Sequence, residues 1–294
     1  MEPWIETVCK SIANATGAAF EPAERAGVGG GSISQGFRLT GSDGRRYFMK
    51  RNHRRHRAMF EAEGAGLAEL ARCPELRIPV PVTLADHGDA CFLVLEYLDL
   101  GGRPDGARLG HAVAALHAIH HERFGWTQDN FIGSTPQPNP PQRDWTGFYR
   151  EHRLAFQRRL AKENGAGRGL IDAVSRVESE LDALLAGHHP APSLLHGDLW
   201  SGNWGFVGDG TPTLFDPAVY YGDREADLAM MELFGHPGAD FFAAYNEHQP
   251  RDAGYPLRRE LYNLYHILNH FNLFGGGYAA QAERMARRLL AEVG

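Results

Sequence analysis

The chain has 294 residues, 43% of them hydrophobic and 11% aromatic, and its formal net charge is −6 at pH 7. This composition is typical of a globular protein, and the length exceeds the usual size of a single core, so we expect two lobes. The acidic balance gives no electrostatic footprint for nucleic acid or for an anionic membrane surface, and no apolar run is long enough to cross a bilayer. A small or cationic substrate is easier to reconcile with this charge.

Cysteine and lysine are both used sparingly. Cys9, Cys73 and Cys91 are widely spaced and form no Cys-x-x-Cys pair, and no secretory segment opens the chain. We therefore expect reduced thiols and a cytoplasmic protein. Only three of the 30 lysine and arginine residues are lysine, so arginine serves wherever a generic positive charge suffices. A lysine in this chain indicates a more specific role.

The first elements predict a helix and then a glycine-rich hairpin. Apolar residues between Trp4 and Ile12 recur at helical spacing, and Gly17 is placed to end that helix. Glycine lets backbone N–H groups approach phosphate oxygens closely, so residues 29–36 form either a phosphate-covering hairpin or a flexible loop. They match neither the Walker pattern nor a strict Gly-x-Gly-x-x-Gly. The candidate nucleotide-binding residues here are Gly30, Gly31, Ser32, Ile33 and Ser34.

Lys50 ends a predicted strand over residues 46–50. A lysine at this place matches the residue that pairs the α- and β-phosphates of ATP in kinases, whereas a solvated charge at a strand end would more naturally be arginine in this chain. A helix is predicted over residues 57–72, and it carries Glu61 and Glu63. One of the two should form the ion pair that holds Lys50 toward a nucleotide, and we choose Glu63.

A buried strand is predicted over residues 91–95. In a two-lobed kinase the segment leading out of such a strand is the hinge, whose backbone meets the adenine edge. The candidate hinge residues are Leu95, Glu96, Tyr97 and Leu98. Strands and glycine precede this point and long helical stretches follow it, so we place a nucleotide-binding lobe at residues 1–98 and a helical lobe with the catalytic and substrate sites at 99–294.

Apolar stripes in the second lobe predict helices that begin near Leu109, run over residues 170–185 and cover 261–271. His117 and His121 have metal-ligand spacing, but no third ligand or His-Glu-x-x-His signature accompanies them, which favours a structural role over zinc. The proline-rich segment 126–141 is either a substrate-side loop or an extended strap that packs on the lobe. Asp144 follows it and should cap a helix that carries Trp145.

The most informative pattern is the run from His196 to Asn203, followed thirteen positions later by Asp216. An acid, an amide five residues on and a second acid beyond is the spacing by which kinase-type enzymes place a catalytic base beside two metal ligands. Asp198 suits the base, because a hydroxyl that attacks the γ-phosphate of ATP must give up its proton. Asn203 and Asp216 suit Mg²⁺, which prefers oxygen ligands.

The alternative to catalysis is a polar turn between two buried strands, since His-Gly-Asp is good turn chemistry. Leu194-Leu195 precedes the run, and Leu214-Phe215 precedes the second acid, which predicts two short strands that deliver polar ends to one place. Asp227, in the first turn of a later predicted helix, is placed to brace the loop by accepting backbone N–H bonds.

Taken together, the residues resemble the fructosamine kinase (ketosamine-3-kinase) family, within a protein-kinase-like group that includes the aminoglycoside and choline kinases. The resemblance covers nearly the whole chain and rests on the following segments: Gly30-Gly31-Ser32-Ile33-Ser34, Met59-Phe60-Glu61-Ala62-Glu63, Phe124-Gly125-Trp126, Pro136-Gln137-Pro138-Asn139, Asp144-Trp145, Arg153-Leu154, His196 to Asn203, Asp216-Pro217-Ala218, Tyr221-Gly222, Asn269-His270-Phe271-Asn272 and Phe274-Gly275. The bare His-Gly-Asp is shared across the wider group, whereas His-Gly-Asp-Leu-Trp-Ser-Gly-Asn and the proline-rich loop are much narrower. Several members carry cysteine where this chain has Ser32, so no thiol switch is expected there.

The resemblance implies an α+β, two-lobed protein-kinase-like fold, with a small β-rich N-lobe and a larger, mostly helical C-lobe. It implies an ATP- and Mg²⁺-dependent kinase that phosphorylates the 3-hydroxyl of ketosamines, either free or protein-bound, as a deglycation repair activity. Trp200, Trp145 and His270 are the candidate substrate residues. We expect a monomer that binds neither nucleic acid nor membrane. The alternatives are a kinase of another amino-alcohol or aminoglycoside acceptor, and a pseudokinase that only binds nucleotide.

Overall fold

The computed structural model describes residues 2–29 and 33–293. The chain forms two compact units: unit one comprises Met1–Asp105 and Trp204–Asp216, and unit two comprises Gly106–Asn203 and Pro217–Gly294. The lobe boundary after residue 98 stays a prediction about domains. Unit one continues beyond it to Asp105 and also takes a short later segment of the chain.

The secondary structure of both units is as follows. The strands are β1 (Pro22–Val28), β2 (Gln35–Gly41), β3 (Arg46–His53), β4 (Pro81–His87), β5 (Ala90–Glu96), β6 (Asn130–Ile132), β7 (Thr135–Gln137), β8 (Ser193–Leu195), β9 (Trp204–Phe206), β10 (Pro212–Leu214) and β11 (Tyr220–Gly222). The α-helices are α1 (Pro3–Thr16), α2 (Arg57–Leu70), α3 (Gly106–His117), α4 (Trp145–Tyr149), α5 (Phe156–Glu163), α6 (Arg168–Ser179), α7 (Leu181–Leu184), α8 (Glu225–Leu233), α9 (Ala239–His248), α10 (Tyr255–Phe274) and α11 (Tyr278–Ala291). A 3₁₀ turn covers Arg54–His56, and a π-helical segment covers Arg150–Ala155.

Unit one is built on a five-stranded antiparallel sheet in the order β1-β2-β3-β5-β4. Helix α1 covers one face of it, because Trp4, Val8 and Ile12 recur at helical spacing and are buried with Phe92 of β5. The Trp4 and Phe92 rings stack with centroids 5.2 Å apart. Each large apolar side chain buried in this way contributes about 1.5–3 kcal/mol. The helix ends at Gly17, whose φ of 72° confirms the predicted stop.

The predicted elements of unit one are confirmed. The strand expected over residues 46–50 lies in β3, the one expected over 91–95 lies in β5, and the helix expected over 57–72 is α2. The short strands β9 and β10 pair antiparallel, and β10 ends directly before Phe215 and Asp216. The five consecutive apolar residues from Cys91 to Leu95 are all buried in β5, which explains why the sequence pattern located that strand.

Unit two is mostly helical, and its described residues also form two small two-stranded sheets, β8 with β11 and β6 with β7. Strand β8 pairs antiparallel with β11, so that Leu195 lies opposite Tyr220. Strand β8 ends directly before His196, and β11 begins three residues after Pro217. The pairing therefore holds the chain just before the His196–Asn203 run and just after Asp216-Pro217. The helix predicted as one piece over 170–185 is divided: α6 ends at Ser179 and α7 begins at Leu181.

The proline-rich segment 126–141 packs on unit two as an ordered strap. Its hairpin β6–β7 buries Asn130 and Gln137, whose side chains donate to the carbonyls of Val219 (2.7 Å) and Ala218 (3.0 Å). These bonds satisfy buried amides and hold the chain just after Pro217. The structure therefore favours the strap over the substrate-side loop, which was the other interpretation of this segment.

A buried arginine anchors the strap. Arg153 lies in the π-helical segment and is 0% exposed. Its guanidinium donates to the carbonyl of Pro138 (2.8 Å) and to Oδ1 of Asn139 (2.7 Å). Its guanidinium lies 4.1 Å from the ring centroid of Tyr220 and 4.7 Å from that of Phe148. Carbonyl, amide and π contacts thus compensate the burial of this charge.

None of the helices in the described ranges combines the length and apolarity that a bilayer crossing requires. The three cysteines are free, and all three are buried.

Candidate active site

Unit one presents a buried lysine between two carboxylates. Lys50 lies on β3 opposite Leu93 of β5, and it is 9% exposed. Its Nζ donates to Oε1 of Glu63 at 2.7 Å and to Oδ1 of Asp216. Glu61, two residues earlier in α2, pairs instead with Arg57 at 2.9 Å on an exposed surface. The structure thus makes the ion pair with Glu63, as chosen from the sequence.

The three charges change one another's protonation equilibria. Burial by itself would lower the pKa of Lys50, but the carboxylates of Asp216 and Glu63 outweigh it and raise that pKa above its usual value. Burial raises the pKa of Glu63 to about 7, although Lys50 acts in the opposite direction and Asp216 adds to the rise. One cation therefore serves two carboxylates in this cluster, and it stays charged at neutral pH.

Asp216 has a strained backbone. Its φ is 57°, which makes it the non-glycine residue with a positive φ in the described chain, and it directly precedes Pro217. A residue before proline normally takes an extended conformation, so the left-handed geometry here is costly. Such strain persists only where surrounding structure enforces it, and it is typical of functional positions. Its carboxylate is 43% exposed while it contacts Lys50.

The glycine-rich hairpin is described in part. Gly30, Gly31 and Ser32 lie outside the described residues. Ile33 and Ser34 are held by Asn52, whose Nδ2 donates to the Ile33 carbonyl (3.1 Å) and to the Ser34 hydroxyl (3.0 Å). Asn52 was not singled out from the sequence. Its position two residues after Lys50, on the same face of β3, was the available signal.

The candidate hinge residues span the end of β5: Leu95 and Glu96 are its last two residues, and Tyr97 and Leu98 follow it. Leu95 is buried. The Glu96 carboxylate forms an ion pair with Arg77, and its backbone N–H donates to the carbonyl of Val80 at 2.8 Å. The Tyr97 ring lies 4.9 Å from the guanidinium carbon of Arg46, and Leu98 is half-buried. The N–H of Glu96 is thus used within the protein.

Unit two presents the loop that contains the acid and the amide. Asn203 is 5% exposed, and its Nδ2 donates to the backbone carbonyl of Asp198 at 2.8 Å and to the Asp198 carboxylate at 3.3 Å. The loop is tightly turned, since the N–H of Trp200 donates to the Asp198 carbonyl and that of Asn203 to the Trp200 carbonyl. The two predicted functional side chains therefore lie in contact, with Asn203 orienting Asp198.

Asp227 braces this loop from beneath. Its carboxylate accepts the N–H of His196 (2.7 Å) and of Gly197 (2.9 Å), which confirms the predicted brace. His117 lies 3.3 Å from the same carboxylate, and its other ring nitrogen lies 2.8 Å from the hydroxyl of Tyr245. Burial would raise the pKa of Asp227, but the bond to His117 and the backbone donors lower it below its usual value.

Gly197 allows the chain to pass close to itself. Its φ is 83°, and a Cβ at this position would lie 2.0 Å from the carbonyl oxygen of Ala218. That Ala218 N–H in turn donates to the His196 carbonyl at 2.8 Å. Glycine is required here for both conformation and space.

The candidate substrate residues have three different surroundings. Trp200 is half-buried, and its ring lies over Gly202, so close that a Cβ added to Gly202 would lie 2.3 Å from a ring carbon. The His270 ring lies against that of Phe234, with centroids 4.6 Å apart and the ring planes tilted by 38°. Trp145 is 3% exposed, and its indole donates to the hydroxyl of Tyr262 at 3.0 Å. Such burial gives Trp145 a core role, and we do not include it in the proposed substrate site.

The metal-ligating candidates differ in chemistry. Asn203 and Asp216 offer amide and carboxylate oxygens, which fit Mg²⁺. His117 is committed to Asp227 and Tyr245, and the His121 ring lies against Tyr221 with centroids 4.8 Å apart. The structure therefore gives the pair His117 and His121 structural contacts, as the sequence favoured.

These features define the class of protein. A lysine on an antiparallel sheet paired with a glutamate on helix α2, together with a braced Asp–Asn loop on a helical unit, are the groups of ATP-dependent phosphotransferases with a protein-kinase-like fold. The fold of a choline/ethanolamine kinase family protein from Mesorhizobium loti is similar, with a TM-score of 0.64 at 15% identity over 97% of this chain and 94% of that one.

Closer relatives specify the family. The sequence model of the family described as fructosamine kinase matches residues 4–292. A probable ketoamine kinase of Synechocystis sp. is 45% identical over 98% of this chain and 97% of its own, and a chloroplastic protein-ribulosamine 3-kinase of Arabidopsis thaliana is 38% identical over 87% and 79%. The crystal structure of a candidate fructosamine-3-kinase from Haemophilus somnus has a TM-score of 0.89 at 29% identity, covering 97% of both chains. The chain belongs to the fructosamine kinase family.

Proposed function

We propose that this protein transfers the γ-phosphoryl group of ATP to the 3-hydroxyl of a ketosamine. The observation that carries the proposal is the braced loop, in which Asn203 contacts the carboxylate of Asp198 and Asp227 holds the backbone before it. The names of the ketoamine and ribulosamine kinases to which the chain is similar support the acceptor class.

Asp198 acts as the general base. As the acceptor oxygen bonds to the γ-phosphorus, its proton passes to the Asp198 carboxylate, and the bond to the departing ADP oxygen breaks. Asn203 fixes the carboxylate through its amide N–H, so that little reorganisation is needed when the acceptor arrives.

Lys50 binds the phosphates, and Glu63 holds its ammonium in place. Residues 29–36 cover the phosphates, with Asn52 fixing Ile33 and Ser34 at one end of that hairpin. The adenine edge meets the hinge segment Leu95–Leu98. Because the N–H of Glu96 is used by Val80, we assign the adenine contacts to other backbone groups of that segment.

Mg²⁺ would be held by the amide oxygen of Asn203 and the carboxylate of Asp216, where it would neutralise charge on the β- and γ-phosphates. The left-handed backbone of Asp216 supports this assignment, because strain of this kind is retained where a side chain must point in a particular direction.

The acceptor is cationic at its amine, which agrees with the net charge of −6. Trp200 and His270 remain the proposed substrate contacts of unit two, since a half-buried aromatic ring can stack on a cation or a sugar face. We further propose that the protein works as a cytoplasmic monomer and binds neither nucleic acid nor membrane. Its three free cysteines support a reducing compartment.

An acceptor panel tests the function. ADP release by the wild-type protein with ATP and Mg²⁺ is measured against ribulosamine-lysine, fructosamine-lysine, choline and an aminoglycoside. We expect turnover with a ketosamine at a kcat/KM well above that for the other acceptors. Turnover of choline or the aminoglycoside alone would contradict the ketosamine assignment. ATP-dependent thermal stabilisation without turnover of any acceptor would contradict the kinase itself.

A further inference from the structure

Two histidines and a glutamate meet on the surface of unit two, remote in sequence from the motif. His111 lies on α3, and Glu247 and His248 lie at the end of α9. One carboxylate oxygen of Glu247 and one nitrogen from each imidazole all lie within 4.8 Å of one another. Nδ1 of His111 and Nε2 of His248 are 3.1 Å apart. We propose that these three side chains form a binding site for Zn²⁺ or a similar transition metal.

The distances suit such an ion. Two nitrogens bound to a tetrahedral zinc at about 2.0–2.1 Å lie roughly 3.3 Å from each other. The observed separation of 3.1 Å needs only a small outward rotation of the rings of His111 and His248. The Glu247 carboxylate, at 3.9 Å from the other nitrogen of His111, is 65% exposed and can turn to supply a third ligand. Water would complete the coordination.

The two helices hold these ligands on a rigid support. A Cβ added to Gly110, next to His111, would lie 2.3 Å from the carbonyl oxygen of Phe241, so α3 and α9 are in backbone contact. Further along the same pair, His117 bonds to Tyr245 at 2.8 Å. Preorganisation of this kind lowers the entropic cost of binding an ion.

The donor set selects the type of metal. Imidazole nitrogens favour zinc, copper and nickel, whereas Mg²⁺ prefers oxygen ligands. The surface site is therefore chemically distinct from the oxygen ligands Asn203 and Asp216 proposed for Mg²⁺. Zinc bound here would tie α3 to α9, the helices whose His117 and Tyr245 adjoin the brace at Asp227.

Zinc titration of the untagged full-length protein tests the site. Isothermal titration with ZnCl₂ is run in excess Mg²⁺, so that oxygen-ligand sites are occupied. We expect one Zn²⁺ per chain in the wild type. Loss of an outer-shell partner already weakens metal affinity roughly 10–100-fold, so His111→Ala and His248→Ala should weaken it at least about tenfold. The exposed His189→Ala should bind as wild type. Wild-type affinity in both helix variants would overturn the site.

Thermal unfolding gives an independent readout. Zinc should raise the melting temperature of the wild type and of His189→Ala, because an ion that binds only the folded state stabilises it. The same addition should not raise it in His111→Ala or His248→Ala, whose substitutions are on the surface and leave the core intact. Absence of any zinc-dependent rise in the wild type, or an equal rise in all variants, would also overturn the proposal.

Discussion

Glu61 and Glu63 lie two residues apart on one helix, yet they have different partners. Glu63 enters the buried cluster with Lys50, whereas Glu61 pairs with Arg57 in solvent. A buried charged hydrogen bond contributes more than an exposed ion pair, because water does not compete for it. Burial and ion-pair partner therefore distinguish Glu61 from Glu63, which composition and helical pattern could not do.

Replacement of each acid by its amide tests this difference. Glu63→Gln should lower kcat/KM for ATP by roughly 10–100-fold, since a charged hydrogen bond that positions Lys50 is lost. Glu61→Gln is the matched control and should stay within about twofold of wild type. Steady-state kinetics at varied ATP measure both. Equal effects of the two substitutions would show that Glu63 does not position Lys50.

Gly197 permits a second prediction, on stability. Gly197→Ala should lower the free energy of unfolding by more than the roughly 1–2 kcal/mol that a left-handed backbone costs an alanine, because its Cβ would also meet the Ala218 carbonyl. Gly187→Ala is the control: its φ is 74°, but no atom lies within 4 Å of the added Cβ. Urea unfolding compares them. Equal losses would mean that the close approach at Gly197 is unimportant.

The proposed catalytic loop is held by a neighbouring helix. Asp227 of α8 accepts two backbone N–H groups of the loop while it contacts His117 of α3. The loop conformation thus depends on a buried carboxylate to which we assign no part in the proposed phosphoryl transfer. Hydrogen bonds to an ionised acceptor are the stronger kind, which explains why an acid rather than an amide is placed there.

Asp227→Asn should therefore lower kcat more than it changes KM for ATP, since the base is displaced while the phosphate-binding lysine is untouched. We expect a loss of roughly tenfold or more in kcat, in line with the loss of one or two charge-assisted bonds. Asp182→Asn, on an exposed carboxylate that pairs with Arg150, serves as control. An unchanged kcat in Asp227→Asn would contradict the positioning role.

Periodic elements were predictable from the sequence, and irregular ones were not. Helix α1 and strands β3 and β5 were predicted because the apolar residues that each of them buries form a recognisable pattern within its own segment. The π-helical turn that carries Arg153 and the positive φ of Asp216 are imposed by distant contacts, so no local pattern encodes them. The break at Glu180 was missed because apolar spacing continues across it.

The candidate site was predictable where its residues stand at a spacing typical of kinase-type enzymes. Asp198 and Asn203 were singled out because they stand five positions apart, and Lys50 because lysine is rare in this chain. Trp145 was placed with the substrate on chemistry alone, and its burial shows why residue type without accessibility is insufficient. Asn52 carried no motif, so only its neighbours in the sheet reveal it.

The buried His266 makes the stability of the whole molecule depend on pH. His266 is 4% exposed, and burial lowers its pKa from 6.5 to about 3. The folded protein therefore keeps this ring neutral, whereas the unfolded chain takes up a proton below about pH 6.5. The stability that the neutral ring allows is complete above that pH and is progressively lost as the pH falls toward 3.

His266→Gln removes this proton uptake. Between pH 7 and pH 5 the wild type should lose about 2 kcal/mol more unfolding free energy than the variant, at about 1.4 kcal/mol per pH unit. Urea unfolding at both pH values measures the difference, and the exposed His189→Gln should retain the wild-type pH dependence. Identical pH dependence in His266→Gln and wild type would contradict a neutral buried His266.

The general-base role of Asp198 is tested by ketosamine-dependent ADP release in Asp198→Asn at saturating ATP and acceptor. We expect a loss of roughly 10²–10⁴ in kcat, because the amide cannot accept the hydroxyl proton. ATP-dependent thermal stabilisation should be retained, since the proposed phosphate-binding Lys50 and its partner Glu63 are unchanged. A kcat equal to that of the wild type would show that Asp198 is not the general base.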